Sequence, residues 1–464
     1  MKIEDLHIVY FIGIGGIGMS AIARWFNQNG IEVYGYDRTN TPLTQSLESE
    51  GITVHYEDSI DHIPSGLLVD KSKSLVVYTP AVPSQHKELT YLKQQGLEIM
   101  KRSEVLGLIT KDIYTIAVAG THGKTTTSSM VAHILKSSGK DITAFMGGIS
   151  TNYNSNLIIN EELKEDTIAV VEADEFDRSF LTLHSNMAII TSMDADHLDI
   201  YGNKNELKNS FKEFISQMKS NGQLYINEKL TNEINPHNFD VEINTYGINQ
   251  GLFFADNLNI TNGFFEFDFC GGGHKINRLS SSVPGFYNVE NMVAAIAVAL
   301  QVGVKESEIR KAVSSYSGVK RRFEYIVRSD KVVYIDDYAH HPTEIEAFLK
   351  SVKAIYPNKK LTTIFQPHLF SRTQDFAEDF AKSLNYSDEV ILMDIYPARE
   401  LPIDGVTSEI IYKNIEVEKI ITTKEDLMKE VEKKELEVVV TIGAGDIDQF
   451  VNKIKNSLTK NYSV

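Results

Sequence analysis

The run Gly120-Thr121-His122-Gly123-Lys124-Thr125-Thr126 carries two glycines, a lysine and a hydroxyl in the order that a nucleotide phosphate requires. Backbone N–H groups of such a loop converge on an anion together with the N-terminus of the next helix. Lys124 can reach the terminal phosphates, and the Thr125 hydroxyl can ligate magnesium. The bland alternative is a glycine-rich turn. Context weighs against it, because an apolar run (114–119) precedes the loop and a helical pattern (126–136) follows, apolar at Met130, Val131, Ile134 and Leu135. The glycine spacing is shorter than the common Gly-x4-Gly-Lys loop. A second run, Gly13-Ile14-Gly15-Gly16-Ile17-Gly18, also sits between strand and helix patterns, and Asp37 closes the next strand pattern. That outlines a dinucleotide fingerprint. Alone it indicates a diphosphate rather than a nicotinamide, and glycines serving only tight strand–helix packing remain the alternative.

Acids follow two further apolar runs. Glu172-Ala173-Asp174-Glu175-Phe176-Asp177 comes after 168–171, and Asp194-Ala195-Asp196-His197-Leu198-Asp199 after 187–191. A carboxylate at a strand end beside a phosphate loop is where a magnesium ligand belongs. Composition does not single out which acid, and a solvated acidic loop is the alternative. A histidine flanked by carboxylates suits a metal or a substrate, although a lone histidine is more often structural. Asn288 and Asn291 open an alanine-rich helical pattern over 292–302. Asn288 suits a simple N-cap, whereas the amide of Asn291 offers the donor and acceptor that an adenine edge needs. Lys320-Arg321-Arg322 is an anion site or a solvated turn. Four apolar runs, 332–335, 361–365, 390–393 and 438–442, each end in polar residues, among them Asp336-Asp337-Tyr338-Ala339-His340-His341 and Gln366-Pro367-His368-Leu369-Phe370-Ser371-Arg372. The carboxyl edge of parallel strands is where open α/β sheets bind ligands.

Positioning these groups takes short strands alternating with helices, which implies an α/β chain. Three domains are expected: a Rossmann-like N-terminal domain (1–112), a central P-loop ATPase domain with a mostly parallel sheet (113–325), and a Rossmann-like C-terminal domain (326–464). The strand- and glycine-rich stretch 221–282 reads as hairpins at one side of the central sheet. A length of 464 residues suits about three domains, and 42% hydrophobic residues describe a soluble globular protein. With 46 Lys and Arg against 63 Asp and Glu, the net charge is −17. That excess argues against a nucleic-acid partner or an anionic membrane surface. No uninterrupted apolar run reaches membrane-spanning length, so no membrane insertion is expected. The first residues lack a signal-peptide pattern, and the single cysteine, Cys270, cannot form an internal disulfide, so a cytoplasmic setting is expected. Oligomeric state is not legible. Two phosphate signatures and a polar strand edge together suggest a nucleotide-linked substrate, ATP and a further small substrate. Hydride transfer needs only the first of these, and a nucleotide switch only the second.

With its short glycine spacing, Gly120-Thr121-His122-Gly123-Lys124-Thr125-Thr126-Thr127 resembles the ATP loop of the Mur ligases, which add amino acids to a UDP-linked muramic acid in peptidoglycan synthesis. The resemblance spans the whole chain. Gly13 to Ser20, Asp337-Tyr338-Ala339-His340-His341-Pro342-Thr343-Glu344, Gln366-Pro367-His368 and Ser371-Arg372-Thr373 are similar to the member that joins L-alanine to UDP-N-acetylmuramate. The relative that reattaches recycled tripeptide is the alternative. The resemblance implies ATP-dependent amide formation through an acyl phosphate. It places Gly120, Thr121, His122, Gly123, Lys124, Thr125 and Thr126 on ATP, with Asn288 and Asn291 on adenine and Arg322 and Asp337 reaching ATP from the third domain. It gives Thr125 and Glu172 one magnesium ion and His197 a second, and sets His122 near the carboxylate being activated. Lys124, His122, Glu172, His197 and Arg372 are then the catalytic set. Tyr338, His340 and Arg372 place alanine, and Gly13, Gly15, Gly16, Gly18 and Asp37 take the UDP substrate. Two positions depart from the family pattern: Tyr287, often histidine there, and Leu369, often arginine. Many relatives carry a carbamylated lysine; Lys208 is the nearest candidate, and its spacing does not decide the matter.

Overall fold

The computed structural model describes residues 2–160, 166–194, 198–235, 238–398 and 400–462, with residues 198 and 199 described by their backbone alone. Three sheets carry the chain. The first comprises β1 (Ile8–Ile12), β2 (Glu32–Tyr36), β3 (Thr53–His55), β4 (Ser74–Tyr78) and β5 (Glu98–Lys101), in the order β3-β2-β1-β4-β5. All its pairings are parallel. Its central strand, β1, is buried along its whole length, as its unbroken apolar sequence requires.

The second sheet contains β6 (Tyr114–Ala119), β7 (Ile142–Ser150), β8 (Ser155–Ile159), β9 (Ile168–Ala173), β10 (Met187–Ile190), β11 (Gln223–Asn227), β12 (Glu242–Ile248), β13 (Phe253–Thr261), β14 (Phe264–Gly271) and β15 (His274–Ser281). Their order is β15-β14-β13-β12-β11-β10-β6-β9-β7-β8. Strands β12, β11, β10, β6, β9 and β7 run parallel, and β8 returns antiparallel. Strands β13 to β15 fill one end, as the glycine-rich stretch predicts. The third sheet, β16 (Glu324–Arg328), β17 (Val333–Asp337), β18 (Leu361–Phe365), β19 (Glu389–Met393), β20 (Glu418–Thr422) and β21 (Val438–Ile442), has the order β16-β17-β21-β18-β19-β20. Only β16 is antiparallel to its neighbour. The expected α/β class with three sheets is therefore present, and the central and last sheets are mixed.

By compactness the chain forms two units. One is Met1–Asp256 with Phe269–Asn277 and Glu290–Ser315, and the other is Asn257–Asp268 with Arg278–Val289 and Tyr316–Val464. In the first unit a single core runs from the first sheet (Val9, Phe11, Val77) into the second (Ala117, Val171, Ala188). The helix Ile17–Gln28, which starts at the first glycine run, packs on β7 and β8. Polar groups pin this packing. The buried Arg24 guanidinium donates to Glu50 at 2.7 Å, to Ser46 at 3.0 Å and to Asn156. Asn156 in turn donates to the Ser20 hydroxyl at 2.9 Å and the Ile17 carbonyl at 2.5 Å. Buried polar groups satisfied in this way fix one docking geometry where apolar packing alone would allow sliding. In the second unit the third sheet is covered on both faces by apolar clusters, one around Ile335, Phe365 and Leu392, the other around Tyr334, Ile364 and Ile391.

Candidate functional site

The loop after β6 is built around glycines that nothing else replaces. Gly120 has φ +140°, and a Cβ there would lie 2.1 Å from the Thr191 hydroxyl. Gly123 has φ +80° and caps the helix Lys124–Ser137, so this helix begins two residues before the predicted 126–136 pattern. The segment after β10 braces the loop. Thr121 N–H donates to Ser192 O at 3.2 Å, His122 N–H to the Ser192 hydroxyl at 2.7 Å, and the Thr191 hydroxyl to His122 O. The His122 ring sits 3.3 Å from the Asp194 carboxylate. Thr126 is buried in the helix's first turn. The amide of Asn291 stands 3.1 Å from where a Gly123 Cβ would lie. The loop, its bracing strand end and Asn291 therefore converge.

The acids at and after the end of β9 divide the work. The Thr125 hydroxyl donates to Glu172 Oε1 at 3.0 Å, and Gly147 N–H to Glu172 Oε2 at 2.8 Å. Lys124 Nζ donates to Gly120 O at 2.7 Å and lies 2.7 Å from the wholly buried carboxylate of Glu175. Burial opposes the lysine charge, but Glu175, Asp174 and Glu172 outweigh it and hold the ammonium pKa above its usual value. Tyr201 OH anchors the turn by donating to Glu175 O at 2.6 Å. His197 lies outside the described residues. Lys208 pairs with Glu233 at 2.7 Å.

In the first sheet, Gly13 has φ +87° and Gly15 N–H donates to Asp37 Oδ2 at 2.8 Å. Asp37 thereby fixes the glycine turn at the start of the helix Ile17–Gln28, and Gly16 is that helix's N-cap. A Cβ on Gly18 would meet the Arg102 guanidinium at 2.6 Å. Arg102 carries no motif signal, and its place here is a contact only the fold reveals.

The second unit gathers the polar strand ends. Asp337 closes β17 with both carboxylate oxygens engaged, by Phe323 N–H at 2.7 Å and Ala339 N–H at 2.8 Å. Burial nevertheless pushes its pKa up to about 7, against the pull of Arg322. Tyr287, at one departure from the family pattern, is pushed well above the usual tyrosine range by burial and by Asp337. Arg321 is tied to Asp336 at 3.1 Å and Gly443 O at 2.6 Å, whereas Arg322 lies 3.8 Å from Glu344. Both guanidinium groups cover the Tyr338 ring, at 5.1 and 5.0 Å from its centroid. His340 contacts Tyr338 O at 3.0 Å, and Arg372 is buried beside His368 Nδ1 at 3.3 Å. Leu369, the other departure, holds φ +72° at the start of the helix Phe370–Leu384. Asn288 is not an N-cap. The helix Phe286–Gln301 starts two residues earlier, and the Asn288 amide donates to Pro284 O at 2.6 Å. Asn288 belongs to the second unit and Asn291 to the first.

The raised Asp337 pKa has a sign that can be checked. Between the unfolded value of about 3.9 and the folded value of about 7, the folded state holds a proton that the unfolded chain has lost. This residue's contribution to stability therefore falls as pH rises through that window and is level above it. Asp337→Asn cannot titrate, so the wild-type urea midpoint should fall relative to that of Asp337→Asn between pH 5 and pH 8. A constant gap would show that Asp337 stays ionised throughout.

A loop of this geometry beside a hydroxyl–carboxylate pair defines a nucleotide-dependent enzyme, and comparison with known proteins makes the class specific. Residues 8–114 match the model of the Mur ligase family catalytic domain, 118–299 the Mur ligase middle domain, and 321–445 the Mur ligase glutamate ligase domain. A UDP-N-acetylmuramate–L-alanine ligase of Christiangramia forsetii is 49% identical over 97% of this chain and 97% of its own length. One of Phocaeicola vulgatus is 47% identical over 99% of this chain and all of its own. The solved structure of a UDP-N-acetylmuramate–alanine ligase from Thermotoga maritima matches with a TM-score of 0.79 at 29% identity, covering 98% and 99% of the two chains. The chain belongs to the Mur ligase family.

Proposed function

We propose that this chain is the ligase that joins L-alanine to the lactoyl carboxylate of UDP-N-acetylmuramate, using ATP, in peptidoglycan precursor synthesis. The observation that carries the reading is the phosphate loop with Lys124 and the Thr125–Glu172 pair, in a chain similar over its full length to ligases of that name. The family's use of ATP agrees with it.

The chemistry explains the residue types. The substrate carboxylate attacks the γ-phosphorus, the bond to the β-phosphate oxygen breaks, and ADP leaves. The alanine amine then attacks the acyl carbon, inorganic phosphate departs, and the amine loses a proton. The first step brings anions together, so cations aimed at the transferring group lower its barrier. Lys124 would exchange its contact with Gly120 O for the β- and γ-phosphates. Thr125 and Glu172 offer the hard oxygen donors that magnesium takes. No group of three His, Cys, Asp or Glu fit for a metal occurs among the described residues, so phosphate oxygens and water would complete the shell. Bound there, magnesium would neutralise phosphate charge, and His197 would serve a second ion. His122 would lie near the activated carboxylate, Asn288 and Asn291 at adenine, and Arg322 and Asp337 at ATP. Arg372 would take the alanine carboxylate, with Tyr338 and His340 beside it. Gly13, Gly15, Gly16, Gly18 and Asp37 would hold the UDP moiety. Residues 1–112, 113–325 and 326–464 would thus serve the UDP substrate, ATP and the amino acid. We place the reaction in the cytoplasm, where ATP is supplied; no described helix is long and apolar enough to cross a membrane.

Phosphate release from ATP and magnesium is the test, with UDP-N-acetylmuramate and L-alanine added singly and together. Release should require both and yield a product heavier by one alanine residue. Release that ignores both substrates would refute the reading, and turnover with tripeptide in place of alanine would favour the recycling ligase.

A further inference from the structure

Arg102 joins the two nucleotide-type sites of the first unit. It follows β5 and opens the helix Arg102–Thr110. Its guanidinium lies against Gly18, where a Cβ would meet Nη1 at 2.6 Å, Cδ at 3.1 Å and Cζ at 3.2 Å. Only a residue without a side chain lets the guanidinium approach the start of the helix Ile17–Gln28 this closely. Nη2 of the same group donates to Asp174 Oδ2 in the acid loop after β9, at 3.4 Å. That is a long bond for a guanidinium with five donors, and it is the only hydrogen bond of the Arg102 side chain among the described residues. The group is 22% exposed and so is open to an incoming anion. Beside it, Lys101 pairs with Asp177 at 3.2 Å. Asp177 and Arg178 both hold left-handed backbone, with φ +53° and +54°. A cation at the end of β5 and one at the start of the next helix therefore hold the strained acid loop that carries Glu175 and follows Glu172 of β9.

We propose that Arg102 is a binding and positioning residue of the ligase, exchanging Asp174 for the diphosphate of the UDP-linked substrate and so coupling that site to the acid loop around Lys124. The proposal rests on the glycine run being the UDP-diphosphate site. An Arg–phosphate contact is shorter and stronger than the long Asp174 bond, so the diphosphate wins the exchange. Asp174 is then released beside Lys124. Filling of the first site thereby changes the charge around the lysine that meets ATP, and linkage requires that ATP-site occupancy alter UDP-substrate affinity to the same extent.

Calorimetric titration of the intact protein with UDP-N-acetylmuramate, with and without a non-hydrolysable ATP analogue, tests this. Arg102→Gln should weaken UDP-substrate binding by about tenfold or more and remove the analogue's effect on it, while leaving analogue affinity near the wild-type value. Arg102→Lys should restore only part of the binding, because an ammonium lacks the bidentate fork. Asp174→Asn should tighten UDP-substrate binding in the wild-type background and have no effect in Arg102→Gln, since the two residues act through one contact. Wild-type UDP-substrate affinity in Arg102→Gln overturns the proposal. Gly15→Val separates the two levels of the argument. If Gly15→Val loses the substrate and Arg102→Gln does not, Arg102 alone is misassigned. If neither loses it, the glycine run is not the diphosphate site.

Discussion

Lys124→Ala should lose ligation by on the order of a thousandfold in kcat/KM for ATP while UDP-substrate affinity stays near the wild-type value. The lysine is the cation closest to the loop backbone, held at 2.7 Å from both Gly120 O and Glu175. Nothing in the first sheet's glycine run touches it. The substitution has a second consequence. Glu175 is wholly buried, and its carboxylate would lose its ammonium partner. Breaking a buried pair from one side costs about 3 kcal/mol or more, because the remaining charge is left without compensation. The single variant should therefore be both inactive and less stable. Lys124→Ala with Glu175→Gln separates these effects, since the neutral amide removes the orphaned charge. The double variant should regain most of the lost denaturation midpoint and none of the activity. Recovery of ligation in it would mean that Lys124 acts through folding alone. Loss of UDP-substrate affinity in a folded Lys124 variant would contradict the division of labour between the two sites.

The sequence made the strands and loops legible, because buried parallel strands read as unbroken apolar runs and phosphate loops as glycines between a strand and a helix. Boundaries were less visible. The helix after Gly123 starts at Lys124 because a left-handed glycine caps it, and no apolar periodicity marks that turn. The same holds at Phe286–Gln301, where Asn288 lies inside the first turn and not before it. The groups that hold the site in place were legible only in part. The acid run was plain, but not that Glu172 would face Thr125 while Glu175 would face Lys124. Ser192 and Gly147 carry no motif, yet one braces the loop backbone and the other the carboxylate. Contacts of this kind join residues far apart in sequence, and spacing within a motif carries no trace of them.

Gly147→Ala isolates one such contact. Gly147 lies in β7, two strands from the phosphate loop in sheet order, and donates its N–H to Glu172 Oε2 at 2.8 Å. A Cβ there would sit 2.4 Å from Oε1, 2.5 Å from Oε2 and 2.6 Å from Cδ of the same carboxylate. The backbone does not need to move to relieve this clash, because the end of a glutamate side chain can swing away. Folding should therefore survive, with a melting temperature within a few degrees of wild type. The carboxylate, however, has to leave the position where the Thr125 hydroxyl meets it at 3.0 Å. Displacing a ligand by an ångström is enough to cost about a hundredfold in rate. Gly147→Ala should thus reduce turnover by about that factor and shift the magnesium dependence of ATP use to higher concentration, with UDP-substrate affinity unchanged. Glu172→Gln should mimic the shift in magnesium dependence, and the two substitutions combined should not add, since both act on one carboxylate. Wild-type turnover in folded Gly147→Ala would remove Glu172 from the site.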